Sequence, residues 1–518
     1  MRIQDLPIDG ITPEIVASLE QSNAVVIEAA PGAGKTTRVP VAIEGAGLTD
    51  GRMVVVLQPR RVAARAAARR IAWENGWRLG EEVGYHVRFD RKAGPATRIL
   101  VVTEGIFISM LQRDPFLERV GAVVFDEFHE RSLDLDIALA MSRRVQDQVR
   151  PDLRLVVMSA TLDGGPVAAF LGDCPRVVCE VLQHPVEVTY AARPMEGDPA
   201  RAAAAAVRRA LDLDTRDILV FLPGVAWIKR CARELESLAA DRRFLLTPLH
   251  GGLRAEEQDL AIQPASTRKV ILATNIAETS VTIDGVGTVV DSGLARIMRY
   301  DRGCELNRLE TSRISRASAK QRAGRAGRQG PGRCLRLWTE AEHSSLRVAE
   351  SPEISRLELS RSVLQLGSWG EHDLEAFGWF EKPPQRALEE AFGLLRSLGA
   401  VNDAGITSHG RLMAELPVSP RFARMLIEGH ELGCLEDAAW IAAALSEGLP
   451  TRADTLDLIA ASLESGHRGH GKQGDARGRR IITVRNQLFE AVTHRLGPVS
   501  KMAADRREAL SRAVLAAF

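Results

Sequence analysis

No apolar run in the 518-residue chain reaches the length of about 18 residues that a membrane-spanning helix needs. The N-terminus also lacks an apolar core after basic residues, so secretion and membrane insertion are not expected. The six cysteines (Cys174, Cys179, Cys231, Cys304, Cys334 and Cys434) form no CxxC pair and have no histidines interleaved at ligand spacing. That argues against a zinc site and a disulfide framework, and fits a reducing, cytoplasmic compartment. Neither sign of charge dominates: Lys and Arg total 68 against 67 for Asp and Glu, so any basic surface must be local.

What is present is a composition able to build cores, 45% hydrophobic and 26% charged. The length suggests about three or four domains. Apolar, β-branched strand candidates separated by helix-like stretches run through the first part: "AVVIEA" (24–29), "MVVVLQ" (53–58), "RILVVT" (98–103), "AVVFDE" (122–127) and "LRLVVMSA" (153–160). The pattern pauses near 191–210 and resumes with "DILVFLPG" (217–224), "FLLTPLH" (244–250), "KVILAT" (269–274) and "VGTVVDSG" (286–293). Continuous apolar strands alternating with helices predict parallel sheets buried on both faces, here as two α/β lobes. From about residue 345 strand candidates vanish and helical spacing takes over, with a Gly-rich basic loop expected at 467–480.

The stretch "EAAPGAGKTTRVP" (28–40) follows a strand candidate and opens a helix. Gly32 and Gly34 let backbone N–H groups close around phosphate, Lys35 reaches the terminal phosphates, and the Thr36 hydroxyl can ligate Mg²⁺. The strict pattern has Gly where this chain has Ala29. Such a site needs a carboxylate for the metal and a base for the attacking water, and "VVFDEFHER" (123–131) offers Asp126 and Glu127 at the end of another strand. Taken alone, that pair reads as a solvated acidic turn. A third signal, "QRAGRAGR" (321–328), spaces Arg325 and Arg328 one helical turn apart, so both could meet a γ-phosphate with Gln321 orienting water. A plain basic helix face is the alternative.

Together with "QPRRVAAR", "TEG", "SAT", "LVFLPG" and "ATNIAETSVTIDGV", these motifs resemble, in order, those of superfamily 2 helicases of the DEAH-box (DEAH/RHA) family. The likeness runs from about residue 20 to 450, and the DEFH variant makes it most similar to the bacterial HrpB-type branch. It implies two tandem RecA-like parallel-sheet lobes (1–185 and 186–345), then a winged-helix-like segment (346–412) and a helical ratchet-like domain (413–518). Chains of this family normally continue into an OB-fold or a further C-terminal region, whereas this sequence stops at Phe518.

The resemblance also implies roles. Gly32, Gly34, Lys35, Thr36 and Thr37 would hold phosphate, with Thr36 and Asp126 on Mg²⁺ and Glu127 as general base. His129, Ser159 and Thr161 would couple hydrolysis to the second lobe, where Thr282 and Asp284 would lie near the ribose and water network. Gln321 would orient water, and Arg325 and Arg328 would act on the γ-phosphate. Arg60, Arg61, Thr103 and Gly105 in the first lobe, with Gly224, Thr274 and Asn275 in the second, would hold the sugar-phosphate backbone. Ser159 and Thr161 could equally be turn or cap residues. The family sandwiches its nucleotide base between an arginine, here Arg70, and an aromatic residue, whose place Ile262 takes. Broad use of ATP and other NTPs is therefore expected.

A hairpin projecting from the second lobe is expected at 293–315. The implied activity is NTP-driven 3′-to-5′ movement of a monomer on single-stranded RNA, with no membrane and no protein partner indicated. A DNA translocase, a remodelling ATPase that does not unwind, and a non-catalytic RNA-binding scaffold remain alternatives. Intact Lys35, Glu127 and Arg328 argue against the scaffold.

Overall fold

The computed structural model describes residues 5–160, 163–180, 184–279, 283–303, 306–446, 476–499 and 503–518. They form two compact units, one made of residues 1–110 and 116–357 and the other of 111–115 and 358–518.

The first unit holds two sheets. One contains β1 (Ala24–Ala29), β2 (Met53–Gln58), β3 (Val83–Val87), β4 (Asp90–Lys92), β5 (Ile99–Thr103), β6 (Val120–Phe125), β7 (Arg154–Ser159) and β8 (Arg176–Cys179). Their order is β4-β3-β5-β2-β6-β7-β1-β8, parallel except for β3 with β4. Alternate residues leave to opposite faces: Val25, Ile27, Val54 and Val56 join one core with Ala64, Ala68 and Ile71 of the helix Arg61–Asn75. Their neighbours Val26 and Val55 are equally buried on the other face. Burial on both sides is why these strands read as continuous apolar runs.

The second sheet contains β9 (Val186–Tyr190), β10 (Asp217–Phe221), β11 (Leu245–Leu249), β12 (Lys269–Ala273) and β13 (Val286–Asp291). The chain then leaves it as the antiparallel ribbon β14 (Leu294–Asp301) and β15 (Leu306–Arg313), before returning as β16 (Gly332–Arg336). The sheet order is β11-β12-β10-β13-β16-β9, all parallel. Ile218, Val220, Val270 and Leu272 pack on Ala203, Ala204 and Val207, while Leu219, Phe221 and Ile271 face Ile283, Ala323 and Ala326. The predicted pause at 191–210 is largely the helix Pro199–Leu213, capped by Asp198.

The second unit is helical, apart from a two-residue-per-strand hairpin of β17 (Val401–Asn402) and β18 (Gly405–Ile406). Helices Pro420–Glu431, Leu435–Ser446, Ala476–Leu496 and Arg506–Leu515 bury Phe422, Leu426, Ile441, Leu488 and Leu510. Arg506 grips the buried Asp437 with both ends of its guanidinium. Among the described residues no helix is long and apolar enough to cross a membrane. Most of the loop expected at 467–480 lies outside the described residues.

Candidate active site

In parallel sheets, ligands gather beyond the carboxyl ends of the strands. β1 runs into the Gly-rich loop, and the helix Lys35–Gly45 starts from Gly34, whose φ of 93° suits glycine. A Cβ there would stand 2.6 Å from Leu6 Cδ1, so a side chain at Gly34 would have to displace Leu6 as well as adopt an unfavourable φ. Gly32 also has a positive φ, of 92°. Thr37 Oγ1 donates weakly to Gly34 O at 3.4 Å.

β6 ends at Phe125, placing Asp126 and Glu127 just past the strand beside that loop. Asp126 is fully buried. Its Oδ2 accepts from Thr36 Oγ1 (2.5 Å) and Gln58 Nε2 (2.6 Å), and its Oδ1 accepts from the Glu127 N–H (2.8 Å). Burial pushes its pKa up and adjacent Glu127 adds to this, with Lys35, Thr36 and Gln58 opposing but not cancelling the rise. Glu127 sits in the left-handed region, φ 53°, a conformation a non-glycine residue holds only when its surroundings enforce it. Its carboxylate lies 3.8 Å from Lys35 Nζ and 3.6 Å from His129 Nε2. Burial alone would raise its pKa, but Lys35, His129, Arg325 and Arg328 together hold it below the ordinary value. Two adjacent carboxylates are thus pushed apart in acidity, the pattern expected where one serves as base.

His129 also links outward: its Nδ1 accepts from the Ala160 N–H at 3.4 Å, in the turn that follows buried Ser159 at the end of β7. Thr161 lies outside the described residues, as does Thr282.

The arginines differ from the sequence expectation in local structure. The α-helix Arg316–Gly324 ends before them, with Arg325 at its C-cap, and tighter i→i+3 turns carry the chain on to Gly327, just before Arg328. Gln321, half buried, stays on the helix. Arg325 is held instead by backbone carbonyls, donating to Glu278 O (2.9 Å) and Thr279 O. Burial and neighbouring Arg328 lower its pKa well below the usual guanidinium value. Burial also lowers that of Arg328, whose Nη1 is buried with no hydrogen-bond partner. Two desolvated guanidiniums beside one carboxylate suit an incoming oxyanion. Asp284 attracts Arg328 and accepts from Gln329 Nε2 at 3.0 Å.

Among the residues expected to touch nucleic acid, Arg60 donates to the Asn275 carbonyl at 2.6 Å across the two sheets, next to Thr274. Arg61 opens its helix and is exposed, and Thr103 closes β5. Gly105 is close-packed, since a Cβ would stand 3.3 Å from Asp134 Oδ2. Gly224 follows β10 at the same end of the sheet as Thr274, which follows the adjacent parallel β12, and stands near Arg296 of β14. Arg70 is held by Glu74 on its own helix.

Sequence reading missed four contributors. Gln58 orients Asp126, and its signal was a polar residue ending an apolar strand. Arg322, 1% exposed, pairs with Glu278 (2.8 Å) and Asp291 (2.9 Å) and lies over Phe221; being charged inside a basic motif, it gave no sign of burial. Glu130 and Thr279 were hidden because their link joins the two lobes.

The donor set fits Mg²⁺: a hard hydroxyl and a carboxylate converge at Thr36 and Asp126, leaving other positions for water and substrate phosphates. No cluster of three or more His, Cys, Asp or Glu able to hold a metal occurs among the described residues, so an all-protein cage is not offered.

The family described as DEAD/DEAH box helicase matches residues 10–170, the helicase conserved C-terminal domain matches 203–330, and the helicase associated domain (HA2), ratchet-like, matches 419–470. The chain is 40% identical over 462 residues to the ATP-dependent RNA helicase HrpB of Escherichia coli, covering 89% of this chain and 56% of that protein. It is 37% identical over 462 residues to the probable ATP-dependent RNA helicase DHX34 of Homo sapiens, covering 86% and 40% respectively. The crystal structure of the Escherichia coli DEAH/RHA helicase HrpB superposes with a TM-score of 0.85 at 37% identity, covering 99% of this chain and 63% of that one. The chain thus spans little more than half of the bacterial relative and less of the human one. With its two parallel-sheet RecA-like lobes, its ordered motifs and these matches, the chain belongs to the DEAH-box (DEAH/RHA) family of helicases.

Proposed function

We propose that the chain is an NTP-dependent helicase that hydrolyses ATP and other NTPs to move 3′ to 5′ along single-stranded RNA and to unwind or remodel it, acting as a cytoplasmic monomer. The observation that carries this reading is the setting of Glu127, a carboxylate kept ionised by Lys35, His129, Arg325 and Arg328 and drawn from two different lobes.

The N–H groups of the loop 32–37 bind the phosphates, and Lys35 exchanges Glu127 for a phosphate oxygen. Thr36 and Asp126 would hold Mg²⁺, which would supply charge neutralisation on the substrate phosphates when bound. Glu127 takes a proton from the attacking water as its oxygen bonds to the γ-phosphorus. The bond to the β–γ bridging oxygen breaks and the electron pair leaves with the nucleoside diphosphate. Gln321 orients the water, and Arg325 and Arg328 oppose the charge on the transferring phosphoryl group, a contribution of about 10³- to 10⁵-fold in known cases.

His129 and Ser159, with Thr161, report the state of Glu127 to the second lobe, while Thr282 and Asp284 complete the ribose and water network. Arg60, Arg61, Thr103, Gly105, Gly224, Thr274 and Asn275 hold the strand backbone, so affinity is salt-dependent and sequence-indifferent. We read 346–412 as winged-helix-like, with β17–β18 as its wing, and 413–518 as ratchet-like.

The test is phosphate release by the purified protein with no nucleic acid, with single-stranded RNA and with single-stranded DNA, alongside Glu127→Gln. The expected outcome is RNA stimulation and a loss of about 10²- to 10⁴-fold in the variant. Unchanged turnover in Glu127→Gln would refute the enzyme reading, and equal stimulation by DNA would favour a DNA-directed motor. Stimulation without strand displacement on a duplex would reassign it as a remodelling ATPase.

A further inference from the structure

Trp73 is 61% exposed, an unusual setting for the largest apolar side chain, and it lies one helical turn beyond Arg70. The Arg70 guanidinium stacks over its ring at 4.7 Å from the centroid. Through Glu74, the pair is tied to the helix that follows the phosphate loop. Glu74, with a side chain only 2% exposed, binds Arg70 and lies 3.7 Å from Arg38, which is three residues past Lys35 on the loop's own helix. The same face meets the second lobe through Arg69, which pairs with Asp259 at 2.5 Å. Asp259 belongs to the helix Ala255–Ile262, and Ile262 at its end packs against the second-lobe core instead of standing out from it.

The second lobe therefore offers, at the end of the helix that meets this face, an aliphatic side chain that is already engaged. The first lobe offers an exposed indole beside the arginine. We propose that Trp73 is the stacking surface for the base of the bound nucleotide, acting with Arg70 and replacing the contact that Ile262 does not make. This rests on reading the Gly32–Thr37 loop as the NTP site.

A π-face accepts any base, so Trp73 supplies affinity without choosing among bases. Adenine and uracil nucleotides gain alike, and a polyphosphate without a base gains nothing.

The experiment measures KM for ATP and UTP, and the inhibition constant of inorganic tripolyphosphate, in the intact protein and in Trp73→Ala, Trp73→Phe and Lys35→Ala. Trp73→Ala is expected to raise both KM values by about 5- to 50-fold, with Trp73→Phe retaining most of the affinity. The tripolyphosphate constant should not change in either. Unchanged KM values in Trp73→Ala, or a tripolyphosphate constant that rises in step with them, would overturn the proposal. Lys35→Ala separates the two readings: it should weaken ATP and tripolyphosphate together. If it weakens neither, the phosphate-loop assignment fails, whatever Trp73 does.

Discussion

The hydroxyl of Thr279, in the second lobe, donates a hydrogen bond to the carboxylate of Glu130, in the first. Glu130 also pairs with Arg60 at 3.2 Å, and Arg60 reaches back across the lobes to the Asn275 carbonyl at 2.6 Å. The carbonyl of the same Thr279 accepts from Arg325. The Glu278 N–H donates to the same Asn275 carbonyl at 3.1 Å, which closes a ring through the Glu278–Thr279 peptide and joins an arginine of the proposed strand track to an arginine of the proposed hydrolytic site.

In that ring Glu130 competes with any phosphate for Arg60. Glu130→Gln should tighten binding of single-stranded RNA severalfold in the absence of nucleotide, because the amide no longer neutralises the guanidinium. Arg60→Ala should weaken binding and lower the slope of log affinity against log salt by about 1. Fluorescence anisotropy across a salt series checks both. An unchanged slope in Arg60→Ala would remove Arg60 from the strand track.

Glu127 is held below its ordinary value of 4.5 because Lys35, Arg325 and Arg328, with His129 beside them, outweigh its burial. As a base it must be ionised, so activity dependent on it is lost only as pH falls through that depressed value. The profile of kcat/KM should show no limb attributable to Glu127 between about pH 8 and 5.5. A limb centred near 6 that is absent from the titration of Mg·ATP and disappears from the residual activity of Glu127→Gln would contradict this.

Glu104 behaves in the opposite way. Burial raises its pKa well above 4.5, and nearby Asp134, Glu130 and Glu353 raise it further despite the hydrogen bond from Ser132 Oγ (2.6 Å). Above its unfolded value the unfolded chain has released the proton while the folded one keeps it, so stability falls as pH rises through the folded pKa. Glu104→Gln keeps an acceptor for Ser132 and removes the charge. Its melting temperature should exceed that of the parent at pH 8 by more than it does at pH 6. A gap that narrows with rising pH would reverse the assignment.

Arg322 and Arg328 share a motif but should fail differently. Removing Arg322 leaves Asp291 fully buried and Glu278 largely so, both without their guanidinium; the expected cost is about 3–5 kcal/mol, seen as a lowered melting temperature in Arg322→Met. Arg328 has a buried, unpartnered Nη1, so Arg328→Ala should melt at or above the parent temperature while NTP turnover falls by about 10³-fold or more. Equal destabilisation of the two variants would undo the distinction.

The sequence alone determined the strand-and-helix alternation and the Gly-rich turn between β1 and the helix Lys35–Gly45. β1 and β2 fall on the predicted residues, because strands buried on both faces must be apolar throughout and leave an unbroken record. β9 and β16, "VEVTY" and "GRCLR", escaped notice: β9 is an edge strand with Glu187 and Thr189 at alternate positions, and β16 carries Arg333 and Arg336 around only two apolar residues, so local pattern cannot separate either from loop. The order of motifs likewise named Lys35, Asp126, Glu127, Arg325 and Arg328. Only the tertiary structure decided that Arg325 and Arg328 lie past the end of their helix, that Arg322 is buried on two carboxylates, that Gln58 holds Asp126, and that Glu130 meets Thr279. Each of these depends on which segments the fold brings side by side across 30 to 150 or so residues of chain. Burial and charge pairing are properties of that proximity, and no window of sequence contains both partners.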